Sequence, residues 1–340
     1  MPAPKPLPWP AEPVGGRQMG ACAETGTAAL PQVGAAAWVL ADLDSGAVLA
    51  ARAPHARHRP ASTLKVLTAL VALRRLDPDA VVAGTQEDLQ IEGSKAGIGP
   101  GGQYTVRQLL AGLLLSSGND TAQALARALG GNAVTLTAMS ALANELGALD
   151  TFPATTSGLD GPGMATSAYD LALLFRVAMR DRLFASTIAA PSVALPGYSG
   201  RPGFEMSNSD TLLARYPGAL GGKTGFTDAA RHTFVGAAER RGRRLVVALM
   251  RGEQRPVPMW EQAAALLDWG FAQPVGASAV GMLVDRLPVV APTPSEPAIV
   301  RAPASSVAAP LPALPIGVAV AVALGVTAAL AMTLRRRSRR

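Results

Sequence analysis

The sequence predicts an α+β domain whose one sheet is assembled from the two ends of the domain. Three observations lead there. Ala36 to Leu40 and Ala47 to Arg52 read as a β-hairpin around a turn at Asp44-Ser45-Gly46. Gly222 to Thr227, Thr233 to Glu239 and Leu245 to Met250 read as three later strands, with Arg241-Gly242 as a hairpin turn. Between these groups the apolar residues recur with the period of helices.

Each element has a local reason. Residues 1–30 are rich in Pro, Gly and Ala without periodicity and read as a disordered tail. Pro60 precedes a helix from about Ser62 to Leu73, on which Leu64, Val66, Leu67, Leu70 and Val71 make the apolar faces. A polar, Gly-rich loop spans Gly93 to Gln103. Thr105 is placed to cap a helix through Leu115, and helices over 120–129 and 134–146 follow. Ser167 caps another through Arg180, and Glu261 to Leu267 closes a domain over residues 31–273.

Beyond it, 274–313 is rich in Pro, Ala and Ser and reads as a linker. Residues 314–334 carry no charge, and about 20 apolar residues suffice to cross a hydrocarbon core of about 30 Å. Residues 335–340 are mostly Arg, which predicts the C-terminus inside and the domain outside the cell membrane, with membrane lipid as a partner. No basic segment followed by an apolar run precedes Gln32, so the export signal that this placement requires is not visible. For the same reason Met19-Gly20-Ala21-Cys22 reads as a plain surface Cys rather than a lipoprotein cleavage box.

Composition narrows the function. Of 340 residues, 49% are hydrophobic and 16% charged, enough to bury a core. One Cys excludes an internal disulfide framework and a Cys-rich metal centre, and three His leave few ligands for a His-based one. No metal or cofactor is expected. The net charge of +7 comes largely from Arg335, Arg336, Arg337, Arg339 and Arg340, and no aromatic residues interleave with basic ones, so nucleic acid is not an expected partner.

The basic residues carry a further signal. Of 31 Lys plus Arg, only Lys5, Lys65, Lys95 and Lys223 are Lys. Where Arg serves as the general cation, a retained Lys is a candidate for chemistry that guanidinium cannot do, because guanidinium does not give up its proton. Lys65 lies in Ser62-Thr63-Leu64-Lys65, a spacing that puts both side chains on one helical face. A Ser hydroxyl needs an adjacent base, and a Lys amine can be that base if burial or a second cation lowers its pKa. Ser117-Gly118-Asn119 follows an apolar helix and can point two polar side chains into one cleft. Lys223-Thr224-Gly225 lies on a strand whose alternation sends Lys223 and Gly225 to one face and Thr224 to the other. Lys223 can be the second cation, and Gly225 leaves room for something close to the backbone. Each segment alone reads more readily as an N-cap with a solvated Lys, an ordinary helix-ending turn or a solvated edge Lys. Together, in the order SxxK, SxN, KTG, they form the signature of active-serine β-lactamases and penicillin-binding proteins.

From about Ala35 to Phe271 the chain resembles the low-molecular-mass penicillin-binding proteins, the D-alanyl-D-alanine carboxypeptidases among serine peptidases. Beyond the three motifs, the resemblance rests on Asp44-Ser45-Gly46, Arg59-Pro60-Ala61-Ser62-Thr63, Ser157-Gly158-Leu159-Asp160, Phe226-Thr227-Asp228 and Leu266-Leu267-Asp268-Trp269-Gly270-Phe271. It implies a β-lactamase/transpeptidase-like fold, with an antiparallel sheet flanked by helices plus an all-α subdomain. It also implies that Ser62 attacks the bond between the last two D-alanines of a peptidoglycan stem peptide while Lys65 takes its proton. Ser117 would pass a proton to the leaving D-Ala, and Asn119 would orient Lys65 and the substrate amide. Lys223 and Thr224 would hold the terminal carboxylate. Gly225 and Phe226 would line the substrate, with the oxyanion between the N–H groups of Ser62 and Phe226. β-Lactam antibiotics would acylate Ser62.

The sequence departs from that family in places. Asp228 leads into Ala229-Ala230-Arg231-His232, which sets a large cation and a His near the site. Arg255 is the nearest basic residue ahead of the last helix, but Pro256 and Pro258 follow it. Two other readings share the motifs: a class A-like serine β-lactamase, for which Glu145 is the nearest deacylating carboxylate but lacks the ExxLN context, and a non-catalytic penicillin-binding sensor. His55 and His58 read as loop histidines without carboxylate neighbours, and Arg240, Arg241, Arg243 and Arg244 as a solvated hairpin tip.

Overall fold

The computed structural model describes Pro10 and residues 12–285. Strand β1 (Glu24–Gly26) precedes the hairpin β2 (Ala37–Asp42) and β3 (Ala47–Arg52), and helix α1 (Lys65–Arg75) follows. Then come β4 (Val81–Ala83), α2 (Gln86–Gln90), β5 (Gln103–Thr105), α3 (Val106–Leu115), α4 (Asn119–Ala128) and α5 (Asn132–Glu145). Helices α6 (Ala168–Ala178) and α7 (Arg182–Ile188), the small hairpin β6 (Ser192–Leu195) and β7 (Phe204–Ser207), and α8 (Thr211–Arg215) lead to the long strands β8 (Ala219–Thr227), β9 (Arg231–Arg240) and β10 (Arg243–Gly252). Helix α9 (Met259–Ala272) and β11 (Gly281–Met282) complete the order.

The main sheet is antiparallel with strand order β1-β3-β2-β10-β9-β8, and β11 adds to β3. The seam joining the two ends of the domain is β2 against β10, from Leu245 opposite Asp42 to Met250 opposite Ala37. Both faces of this seam are covered, so strand alternation divides its residues between two cores. Val39, Ala41, Val246 and Ala248 pack toward α1, α3 and α6. Trp38, Leu40, Leu245 and Val247 pack toward α9. Arg241 and Gly242 both take positive φ (52° and 76°), the geometry of the tight hairpin turn expected there. Thr105 caps α3 through a reciprocal bond pair with Gln108, and the Ser167 hydroxyl accepts from the Asp170 N–H at the start of α6.

Three expectations need correction. The stretch expected as a disordered tail is built into the sheet from Glu24 onward: Glu24, Thr25 and Gly26 pair with Arg52, Ala51 and Ala50, and Met19 is fully buried. Its Pro- and Gly-rich composition conceals a short edge pairing whose segment is anchored by scattered apolar side chains, the buried Met19 among them. The domain also extends past residue 273 into the expected linker. Gly281 pairs with Val48, Leu283 is buried, and Asp285 ion-pairs with Arg176 and Arg180. Finally, the first turn of the expected helix, Ala61–Leu64, is 3-10, and α-geometry begins at Lys65. The expected span 314–334 and tail 335–340 lie outside the described residues, and among the described residues no helix is long and apolar enough to cross a membrane.

Candidate active site

The site forms where edge strand β8 meets the start of α1. Pro60 is held by the Thr233 hydroxyl of β9, which donates to its carbonyl at 2.8 Å. Gly225, opposite Thr233 in the register, approaches so closely that a Cβ there would stand 2.8 Å from the Ser62 nitrogen. The space left by Gly225 is thus filled by the backbone of the candidate nucleophile. Gly158 makes the matching approach from the other side: its φ of +86° and its contact with the Ala61 carbonyl leave no room for a side chain.

Lys65 is fully buried directly below Ser62. Its Nζ lies 2.9 Å from Ser62 Oγ, 2.7 Å from Asn119 Oδ1 and 2.6 Å from the Ser157 carbonyl oxygen. Burial, and then the charge of Lys223, push the Lys65 ammonium well below the ordinary lysine range, while Asp120 opposes the shift. A neutral amine has two N–H bonds and one lone pair. Asn119 Oδ1 and the Ser157 carbonyl can only accept, so they fix the two N–H bonds and leave the lone pair facing the Ser62 hydroxyl.

Lys223 is equally buried, donates to the Thr224 carbonyl at 2.9 Å, and is lowered to about 8 by burial, with Asp210 opposing. It shares a face of β8 with Gly225. Thr224 and Phe226 lie on the other face, Thr224 half-buried and Phe226 48% exposed. Ser117 sits half-buried on a left-handed turn (φ 62°) between α3 and α4, and none of the three Lys65 bonds reaches it. The structure therefore joins Ser62, Lys65 and Asn119 by direct bonds, Gly225 by contact and Lys223 through its charge. Ser117 belongs to the same turn as Asn119.

Two further contributors stand outside the three motifs, and one of them carries no signal in side-chain type. The Ser157 group is a backbone carbonyl, visible in the sequence only within Ser157-Gly158. Asp120 accepts from the N–H groups of Ala96, Gly97 and Ile98, while Asn119 donates to the Glu92 carbonyl, so this pair clamps the 92–98 loop beside Lys65.

The peripheral residues resolve as well. His55 does have a carboxylate neighbour: Asp150 Oδ2 lies 2.6 Å from its Nδ1, Val14 O lies 2.9 Å from its Nε2, and Arg57 bonds the other Asp150 oxygen. With both ring nitrogens engaged, His55 ties the N-terminal segment to the domain. Arg255 lines a groove of about 610 Å³ with Leu30, Gln32 and Val257, and none of the candidate site residues borders it. Glu145 pairs with Arg74 at the far end of α1, about 14 Å along the helix from Lys65. Three of the four hairpin arginines are paired: Arg240 with Asp268, Arg243 with Asp42 and Arg244 with Asp44.

A serine bonded to a buried, charge-depressed lysine, beside a second buried lysine on a sheet edge, defines an active-serine acyl-transfer enzyme. The family model described as D-alanyl-D-alanine carboxypeptidase matches residues 24–254. The D-alanyl-D-alanine carboxypeptidase DacB2 of Mycobacterium tuberculosis is 52% identical over 251 residues, 73% of this chain and 86% of that protein. A crystal structure of D-alanyl-D-alanine carboxypeptidase from Mycobacterium tuberculosis superposes with a TM-score of 0.73 at 50% identity, covering 76% of this chain and 99% of that one. The DD-transpeptidase of a Streptomyces strain gives 0.68 at 27% identity, covering 72% and 100%. This chain belongs to the D-alanyl-D-alanine carboxypeptidase family of serine peptidases.

Proposed function

We infer that the protein is a serine-type D-Ala-D-Ala carboxypeptidase that removes the terminal D-alanine from peptidoglycan stem peptides. The observation that carries the mechanism is the bonding of Lys65: two acceptors hold its N–H bonds and its remaining position meets Ser62 Oγ at 2.9 Å. In this reading Ser62 gives its proton to Lys65 as Oγ attacks the penultimate D-Ala carbonyl. The N–H groups of Ser62 and Phe226 take the oxyanion, which Gly225 permits by holding β8 against the Ser62 backbone. Ser117 relays a proton to the leaving amine, Lys223 and Thr224 engage the terminal carboxylate, and water hydrolyses the acyl-enzyme. β-Lactams acylate the same oxygen. The pairing of Glu145 with Arg74 argues against a class A-type deacylating carboxylate.

We further propose that residues 314–334 anchor the protein in the cell membrane, with the domain on the outer side and the Arg tail within. The uncharged run and its basic flank support this reading.

The test is release of D-Ala from diacyl-Lys-D-Ala-D-Ala by the purified protein, with Ser62→Ala as control. Release by the wild-type protein alone is expected, with a penicillin adduct located on Ser62 by mass spectrometry. Equal release by both proteins, or an adduct elsewhere, would overturn it.

A further inference from the structure

Among the described residues, two carboxylate oxygens are buried without a hydrogen-bond partner, Asp170 Oδ1 and Asp210 Oδ2. The two stand in opposite fields. Asp170 feels the charge of Asp150, which favours its protonated form. Asp210 feels the charge of Lys223, which favours its ionised form, while burial opposes it. A buried carboxylate oxygen without a partner is costly to keep, so Asp210 is held in place against its own desolvation.

Local geometry shows how it is held. Asp210 precedes α8, and its Oδ1 accepts the Leu212 N–H at 2.9 Å as the helix cap. The cap uses one oxygen and leaves Oδ2. The two residues before Asp210 lock the segment. Asn208 Nδ2 donates to the carbonyls of Ile188 at 3.1 Å and Ala190 at 2.9 Å, at the end of α7. The Ile188 carbonyl in turn lies against Gly221 of β8, where a Cβ would stand 2.5 Å from its oxygen. Ser209 donates through its N–H and its hydroxyl to the Leu115 carbonyl at the end of α3, two residues before Ser117. Residues 208–210 are thus wedged between the turn that carries Ser117 and Asn119 and the strand that carries Lys223, two residues on from Gly221.

Among the described residues, Lys223 Nζ has one hydrogen bond, to the Thr224 carbonyl. Asp210 is the carboxylate whose charge reaches it. Lys65 on α1 is the neighbouring cation, with Asp120 acting on it. Helices α3 and α7 meet the 208–210 segment through backbone carbonyls. A buried ammonium with one neutral acceptor and a second cation nearby loses its proton readily unless a counter-charge holds it. No hydrogen bond joins Asp210 to Lys223, so the carboxylate acts through its field and leaves the other N–H bonds of the ammonium for a ligand.

We propose that Asp210 is a positioning residue whose buried carboxylate keeps Lys223 in the ammonium form that grips the terminal carboxylate of the peptide. This role rests on the carboxypeptidase reading and adds to it a group outside the three motifs.

The experiment follows kcat/KM for D-Ala release, and the second-order rate of penicillin acylation, from pH 5 to 10. It compares full-length wild type, Asp210→Asn, Asp210→Ser and Asp210→Glu. Asn and Ser both keep a capping oxygen for α8 and remove the charge, so either variant that unfolds cooperatively carries the test. Both rates report the free enzyme, in which Lys223 stands at about 8. Loss of the counter-charge lowers that value, so the basic limb moves to lower pH. A shift of about one pH unit lowers the rate about tenfold at pH 9 and leaves it within about twofold at pH 6. For the peptide, the loss appears in KM. Asp210→Glu keeps the charge and restores part of the limb. An equal loss at every pH, as a merely structural role would give, or an unmoved limb would overturn the proposal. Failure of the wild-type protein to release D-Ala would instead defeat the carboxypeptidase reading. The acylation profile would still judge Asp210, because penicillin carries a carboxylate of its own.

Discussion

Lys65 Nζ stands 2.9 Å from Ser62 Oγ with both of its other partners able only to accept. The amine is therefore oriented before substrate arrives, and its proton affinity is set by burial and by Lys223.

Lys65→Arg keeps a cation and removes the base. A positioned general base contributes about 10²- to 10⁴-fold, so acylation by a fluorescent penicillin should slow by that much. Labelling at the wild-type rate would mean that the proton goes elsewhere.

Lys223→Gln should move the acid limb of the acylation rate. Lys65 acts only when neutral, and the Lys223 charge helps keep it so. Without that charge the Lys65 pKa rises, although burial still depresses it, so the limb shifts to higher pH. The absolute rate falls at all pH values if Lys223 also grips the carboxylate. The position of the limb, followed from pH 5 to 10, is the diagnostic. An unmoved limb would refute the coupling.

Gly225→Ala places a Cβ 2.8 Å from the Ser62 nitrogen, a backbone atom that cannot turn aside. The strand should separate from the nucleophile and open the oxyanion site. Loss of one oxyanion donor costs about 10²- to 10³-fold in rate. Acylation should fall by that order while the unfolding transition stays cooperative, and a variant with full acylation would contradict the packing.

Asp170 should make stability depend on pH. Burial, then the neighbouring Asp150, raise its carboxyl to about 7. A group whose folded pKa lies above its unfolded value contributes stability at low pH that is lost as pH rises through the folded value. Asp170→Asn mimics the protonated form and removes the loss. The Tm of this variant minus that of wild type should therefore become more positive between pH 5 and pH 8. A constant or falling difference would show that Asp170 does not titrate as argued.

Much of the fold was legible because its signals are local. Thr105 before an apolar run, Ser167 before another and Arg241-Gly242 between two strands each specify a backbone geometry through their immediate neighbours. The small hairpin Ser192–Leu195 with Phe204–Ser207 and the short helices Arg182–Ile188 and Thr211–Arg215 were not anticipated. Their few residues carry too little periodicity to stand out. The N-terminal edge strand was missed for the same reason, since only a few scattered apolar side chains, Val14, Met19 and Leu30, anchor its segment.

By itself, the sequence determined the chemistry available: one Ser three residues before a rare Lys, a second Lys before Thr-Gly, and the strand and helix periods that carry them. Tertiary structure alone decided that the buried Lys65 amine meets Ser62 and Asn119, that a backbone carbonyl at Ser157 accepts one of its N–H bonds, and that Arg231 pairs with Glu253. Those depend on contacts between segments from about 20 to 170 residues apart, and neither a hydrogen-bond direction nor a proton affinity exists until such segments close around the group and exclude water.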